Sequence, residues 1–331
     1  MDRAKRNGGI LPDNVGPNGI IGERMNGKWW GGYYGWRWPH GARNILEATL
    51  IAGQNALLLT GDRGYLDLHR SQWDRLCSLG REENGRWVIP YRHGDRGWFD
   101  YRPPDPYFPI HLYATSWEQQ DWQRLEALGH RDDWVQRARF GKGGQFYPSA
   151  WFALVHDRRE EAVERMLDAT EEEVNRRLSL IQADADEDPE TWDVHHWQDR
   201  NPVVCEPLVQ LAMGTPGAIY HGGLLHASLR FFDEERGRAG LPEGVAARVR
   251  EITADRVQLE LINADLLRSK RMILQAGTFG EHRFQTIGDQ SVNARRLRLI
   301  LEPGAIGTIS LGIARFVGSP SYGYALTPQS S

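Results

Sequence analysis

The stretch HGARNILEATLIAGQNALLLTGDRGYLDL, residues 40–68, decides how the fold is read. From His40 to Leu59 apolar side chains, among them Ile45, Leu46, Leu50 and Leu57, recur at helical spacing, and Gly61-Asp62 breaks the pattern. A second amphipathic run from about Tyr65 to Leu79 places Leu66, His69, Trp73 and Leu76 on one face. Helix, short TGD turn and helix together predict an αα-hairpin.

Before the hairpin, Met1 to Pro39 is rich in Gly, Asn, Pro and aromatics without sustained periodicity, and reads as loop with short strands. After it, RWVIPYRHGDRGWFDYRPPDPYFP (86–109) reads as a proline- and aromatic-rich loop. Helical spacing returns over Trp117–Val135, Ser149–Val155 and Arg158–Ile181, and the acidic run ADADEDPETWD ends the last of these. Val203–Met213 and Ile219–Phe231 read as two shorter helices. The tail differs in kind. Val257, Leu259 and Leu261 alternate with polar residues, as do Leu297, Leu299 and Leu301, and Ile309, Leu311 and Ile313. Met272–Ala276 and His282–Ile287 also read as strands, which predicts a β-sandwich. The stretch RGRAGLPEG near Gly237–Val245 is the expected linker. The expectation is a mainly α protein, with a helical domain over 1–240 and a small antiparallel β-sandwich over 241–331.

Composition narrows the function classes. With 331 residues the chain exceeds one ordinary core, so two domains are expected. A formal net charge of -4 and the absence of a long basic run argue against nucleic-acid binding. Cys77 and Cys205 lie far apart with no zinc-like spacing, so neither a disulfide framework nor a metal site is expected. No run of eighteen apolar residues exists, so no membrane span is expected. The opening MDRAKRNGGILPDN has no apolar core and is not a secretory signal. The chain as written is expected to be cytoplasmic, or periplasmic or secreted if a leader has been removed.

Four patches carry the candidate chemistry. All thirteen tryptophans lie between Trp29 and Trp197, and the densest cluster spans LPDNVGPNGIIGE and KWWGGYYGWRWPHG, residues 11–23 and 28–41. It holds Asp13, Asn14, Glu23, Trp30, Tyr33, Tyr34, Trp36, Arg37 and His40 among glycines. A core does not need so many large rings interrupted by glycines and cations. A sugar site does: CH faces stack on flat rings while hydroxyls and carboxylates bond Arg, Asn, Asp and His. The second patch, residues 90–106, offers His93, Asp95, Tyr101 and neighbouring arginines on a loop. The third, WDVHHWQDRNP, offers His195, His196 and Trp197 with Asp193 and Asp199, groups suited to proton transfer near neutral pH. Its acidic lead-in starts like a calcium loop, but Pro189 stands at the glycine position and His195 at the bidentate Glu position. The fourth, AIYHGGLLH, offers Tyr220 beside His221. Nucleotide-loop, zinc-protease and serine-hydrolase motifs are missing, and no cofactor is expected.

The turn LLLTGDRGYLDL, the loop KWWGGYYGWRWPHG, and the tail stretches QAGTFGEHRF and LEPGAIGTISLG together resemble the α/α-toroid carbohydrate-active enzymes. These are polysaccharide lyases of the heparinase II/III and chondroitinase kind, and several glycoside hydrolases, each with a β-sandwich after the toroid. Roughly three helix hairpins precede residue 240, about half of what a closed ring needs. The resemblance therefore implies a partial toroid, a truncation, or a half completed by a second copy in a homo-oligomer. It further implies a poly- or oligosaccharide substrate. β-Elimination of a uronic-acid-containing chain would use Tyr34 or Tyr220 as acid/base and His195 or His196 as base or carboxylate neutraliser. Arg37, Asn14 and His93 would then bind carboxylate and hydroxyls. Hydrolysis would need two flanking carboxyl groups drawn from Asp13, Glu23, Asp95, Asp100, Asp193 and Asp199. A non-catalytic glycan-binding subunit would keep only the aromatic platform.

Overall fold

A computed structural model describes residues 1–129, 131–141, 145–220 and 222–323. The chain divides into two compact units, Met1–Leu128 with His221–Leu224, and Gly129–Tyr220 with Leu225–Ser331.

The first unit is built on the expected hairpin. After a short α1 (Asp2–Arg6), α2 spans Ala42–Thr60 and α3 spans Asp67–Ser78, joined by a 3-10 turn at Arg63–Leu66. Gly61 ends α2 in the left-handed conformation at φ 73, and Asp62 caps the next turn by accepting from the Gly64 N–H at 2.8 Å. The helices bury Leu46, Leu50 and Leu57 on one side and Leu66, Trp73 and Leu76 on the other. Truncating any of these leucines to Ala removes about 2–5 kcal/mol. His69 belongs to this core: its Nδ1 meets Thr49 Oγ1 at 3.1 Å, and burial pushes its pKa down to about 3, so the ring stays neutral. The buried Arg70 guanidinium on α3 donates to Asp67, Glu118 and Asp121, tying α3 to α5 (Gln119–Glu126).

The stretch 86–102, expected to be loop, is sheet. Strands β1 (Arg81–Glu83), β2 (Arg86–Gly94) and β3 (Gly97–Arg102) form an antiparallel sheet in that order. Asp95-Arg96 is a two-residue hairpin turn between the paired Gly94 and Gly97. Pro90 misleads as a breaker because this strand has room for a residue that donates no ladder bond. The helix expected over Trp117–Val135 is shorter, as α5 over Gln119–Glu126, and a further helix ends at Trp117. Helix α4 runs Tyr107–Ser116 behind Pro106, and Trp117, left-handed at φ 59, closes it.

In the second unit α6 (Ser149–Asp157), α7 (Glu161–Ala183) and α8 (Glu206–Met213) precede two antiparallel sheets. The four-stranded one has the order β11-β8-β4-β5 and the five-stranded one β10-β9-β12-β7-β6. Their strands are β4 (Leu229–Asp233), β5 (Arg238–Ala239), β6 (Val245–Ile252), β7 (Arg256–Asn263), β8 (Lys270–Ala276), β9 (Arg283–Ile287), β10 (Gln290–Ala294), β11 (Arg296–Leu301) and β12 (Ile306–Ala314). The expected helix over Ile219–Phe231 is corrected to irregular chain leading into β4, where Leu229 and Phe231 are buried around the more open Arg230. Residues 229–233 pair across to β8 in antiparallel register instead of bonding along a helix. The stretch RGRAGLPEG turns β4 back through β5 within the sheet rather than lying outside it.

Helix is 35% and strand 25% of the described residues, with sheets of three, four and five strands. The fold is α+β. The expectation of a mainly α, partly toroidal protein is overturned, because the segment after the first hairpin pairs as strands rather than forming a second hairpin of helices. No helix among the described residues is long and apolar enough to cross a membrane.

Candidate functional site

Asp13 organises the loop over 28–41. Its carboxylate accepts from the Trp36 N–H at 2.5 Å and the Gly32 N–H at 3.3 Å, and burial raises its pKa against those bonds. Gly35 has no room for a Cβ because the Asp13 carboxylate occupies that space. Trp36 is fully buried and donates through Nε1 to the Leu11 carbonyl at 2.7 Å, while Asn14 donates to the Lys28 carbonyl at 3.1 Å. Gln72 on α3 accepts from the Leu11 N–H at 2.7 Å, so the loop is anchored to the hairpin. Asp13, Asn14 and Trp36, expected to bind substrate, are therefore the frame of the loop.

That frame divides the aromatics into two sets. Trp29, Trp30 and Trp98 enclose His93 at ring separations of 4.4, 4.6 and 4.8 Å, and Trp36 meets Trp98 edge-on at 5.3 Å. Burial lowers the pKa of His93, which keeps this ring neutral within the indoles. The second set faces solvent: Tyr33, Tyr34 and Trp38 are 76%, 50% and 52% exposed. Their rings meet at 4.6 Å (Tyr33–Tyr34) and 5.2 Å (Tyr33–Trp38). Tyr34 is left-handed at φ 58, and the Asn44 side chain holds its carbonyl at 2.9 Å. A non-glycine residue in that region costs about 1 kcal/mol or more, and here it turns a ring outward.

Beside Trp38 in sequence, Arg37 lines a cleft of about 490 Å³ with Gly94, Asp95, Arg96, Gly97, Trp98 and Phe99. The β2–β3 hairpin turn thus supplies one wall and the loop the other. Asp95 is paired with Lys28 at 2.7 Å, which holds its carboxyl below the usual range. Tyr101 is covered by the Arg81 guanidinium, 3.6 Å from its ring centroid, and lies outside the lining. His40 stands exposed at the end of the loop, its carbonyl accepting from the Arg43 N–H at 3.3 Å.

The third predicted patch, and Tyr220 of the fourth, belong to the second unit. His196 donates to Asp184 at 2.8 Å and stacks on Trp192 at 4.0 Å with an interplanar angle of 6°. Arg200 takes the same Asp184 carboxylate at 2.9 Å, and these contacts hold its pKa down at about 2. His195 is open to solvent, paired with Asp193 at 2.8 Å, and Trp197 is exposed beside Trp192 at 4.9 Å. Tyr220 is half-buried, and His221 lies outside the described residues. The structure thus brings together the first two patches, while the third patch and Tyr220 fall in the other unit.

A family model described as "Domain of unknown function (DUF8034)" matches residues 1–88 and 81–209. The chain belongs to the DUF8034 family. No curated protein and no solved structure matches it. The DUF8034 span contains the whole loop, the hairpin turn and the His195–Trp197 segment, whereas Tyr220 and His221 lie beyond it. Phe99 was not singled out by sequence, and Trp38, Arg96 and Trp98 stood in the aromatic-rich patches without an individual binding role. The GDRG spacing is the signal that would have placed Arg96 at a hairpin turn, but no sequence signal separates the open Trp38 from the buried Trp36. Among the described residues no group of three His, Cys, Asp or Glu is arranged to hold a metal ion.

Proposed function

We propose that the protein acts on a poly- or oligosaccharide bound across Tyr33, Tyr34 and Trp38, and that it cleaves a uronic-acid-containing chain by β-elimination rather than hydrolysis. One observation carries the reading: the anchored loop that exposes the rings of Tyr33, Tyr34 and Trp38 also supplies Arg37, which lines a cleft with Arg96. Flat rings offer stacking surface to the sugar CH face, and the guanidinium forks suit a carboxylate. The preference against hydrolysis comes from the carboxyl groups. Asp13 is bonded to backbone, Glu23 holds the Asn18 side chain, Asp95 pairs with Lys28, and Asp100 pairs with Arg92 and Arg102. In the second unit Asp193 serves His195, and Asp199 meets Arg176 at 3.5 Å. A hydrolase needs one carboxyl free to donate and another free to attack or activate water.

In the proposed reaction a base removes the C5 proton, the electron pair forms the C4–C5 double bond, and the C4–oxygen bond breaks as that oxygen gains a proton. Arg37 neutralises the sugar carboxylate, which stabilises the developing negative charge. Tyr34, exposed in the same strip, carries the proton. His196 is not a candidate for that role, because Asp184 and Trp192 already occupy its ring.

A panel of acidic and neutral polysaccharides tests this. Near-ultraviolet absorbance from the unsaturated product supports elimination, and reducing ends without absorbance turn the reading to hydrolysis. Binding without either product leaves a non-catalytic glycan-binding subunit. No binding to any glycan overturns it altogether.

A further inference from the structure

Away from that loop, the four-stranded sheet of the second unit carries a row of side chains with no part in the reading above. Gln275 on β8 is paired across one edge with Arg230 of β4 and across the other with Arg296 of β11. Directly opposed residues of antiparallel strands point to the same face, so Arg230, Gln275 and Arg296 form one line across three strands. Neighbouring strands lie about 4.8 Å apart, which puts the two arginine positions about 10 Å from each other. The middle residue is fixed: Gln275 is buried and donates to the Gly277 and Thr278 carbonyls at 3.2 and 3.0 Å, leaving its oxygen for Arg296 Nε at 2.9 Å. Arg295 joins from the turn before β11, its stem packed against Gly280 and its Nη2 donating to the Ser319 carbonyl at 3.0 Å. Arg230 donates to the Thr278 carbonyl at 3.0 Å, with its guanidinium 5.0 Å from the Phe232 ring centroid.

Among the described residues Arg230 and Arg295 pair with no carboxylate, their side chains donating to neutral carbonyls. At the other end of the same sheet Arg298 and Arg271 do have carboxylates, Glu234 at 3.1 Å and Glu235 at 3.5 Å. Burial lowers the pKa of Arg296, and the neighbouring charges of Arg295 and Arg230 add to it. The Arg230 and Arg295 guanidiniums, oriented by neutral acceptors, keep further N–H groups for another ligand, and such forks favour planar or tetrahedral oxyanions.

We propose that Arg230, Arg295 and Arg296 form an oxyanion-binding site on the β4–β8–β11 face, taking the carboxylate, sulfate or phosphate group of a ligand. Free ions and the same groups esterified to a sugar share this chemistry, and the experiment separates them. Calorimetric titration of the full chain with inorganic sulfate, inorganic phosphate, glucuronate and a sulfated oligosaccharide is the measurement. Saturable binding of at least one, weakened tenfold or more in Arg230→Gln and in Arg295→Gln, is the expected result. Tighter binding of the oligosaccharide than of inorganic sulfate assigns the site to the esterified group, and the reverse assigns it to the free ion. Arg230→Lys keeps charge and fold but loses the fork, and an intermediate affinity is expected. Saturable binding of none of the four, or binding unchanged in the Arg230→Gln/Arg295→Gln double variant, overturns the proposal. Arg37→Ala, on the first unit, is expected to leave this binding intact, so the two sites stand or fall separately.

Discussion

The loop over residues 28–41 and the segment over residues 184–200 are built from similar side chains and have opposite outcomes. Both mix indoles, histidine and arginine, and both are held by carboxylates, the loop by Asp13 from outside it and the segment by its own Asp184 and Asp193. In the loop, Asp13 is committed to backbone N–H groups, and that leaves Tyr33, Tyr34, Trp38 and Arg37 facing outward. In the segment the side chains satisfy one another: Asp184 takes both His196 and Arg200, Asp193 takes His195, and Trp192 covers the His196 ring. Composition therefore does not distinguish a site from a self-contained cluster. What distinguishes them is whether the polar groups end on backbone, which frees the rings, or on each other, which consumes them.

The harshest way to break the comparison is Asp13→Ala. It leaves the N–H groups of Gly32 and Trp36 without their charged acceptor, at a cost of about 3 kcal/mol. Denaturant unfolding should show that loss, and glycan binding should fall with it because the ring platform hangs from this one carboxylate. If stability drops and binding survives, the loop is not what presents the platform. A related measurement uses pH. Burial raises the folded pKa of Asp13 above its unfolded value, so the folded chain holds this proton more tightly. The contribution is fully present below the unfolded pKa and is lost as pH rises through the folded pKa. Asp13→Asn should remove that part of the stability profile, and an unchanged difference curve would contradict the assignment.

Next in size is Trp38→Ala. One stacked ring contributes about 1 kcal/mol, so affinity for a bound oligosaccharide should fall about fivefold with stability unchanged. Trp36→Ala is the matched control: Trp36 is buried, so its loss should destabilise the fold by about 3–5 kcal/mol instead. Equal behaviour of the two would erase the division between framing and facing rings.

How much of this was legible in the sequence follows from the range of the interactions. The α2–α3 hairpin showed because its apolar period is local and its stop signals, Gly61 and Asp62, act on their own neighbourhood. Strands β7, β11 and β12 showed through alternation, and β8 and β9 as short apolar runs beside them. Strands β2 and β3 did not, because Pro90 and clustered aromatics mask the period and only pairing across Asp95-Arg96 reveals it. The site was legible as a place and not as roles. Residues 28–40 and 93–98 do meet, but Asp13, Asn14 and Trp36 were expected to touch ligand and instead hold the loop. That difference depends on contacts between residues 19 and 25 positions apart, which no local pattern encodes.

The smallest expected effects fall on the histidine pair. Sequence reading assigns His196 a catalytic role, with turnover expected to collapse in the Ala variant. Its ring is only 11% exposed, bonded to Asp184 and stacked on Trp192, so His196→Ala should instead cost about 1 kcal/mol of stability. Glycan binding should stay within twofold of the parent. His195 is 63% exposed and touches only Asp193, so His195→Ala should change stability by less than about 0.5 kcal/mol. Unfolding curves and product assays on the two variants together decide the matter. A loss of turnover by orders of magnitude in His196→Ala, with its unfolding midpoint unmoved, would mean that a ring satisfied by its neighbours is nonetheless chemically engaged. The contrast between the open loop and the closed segment would then fail at its strongest point.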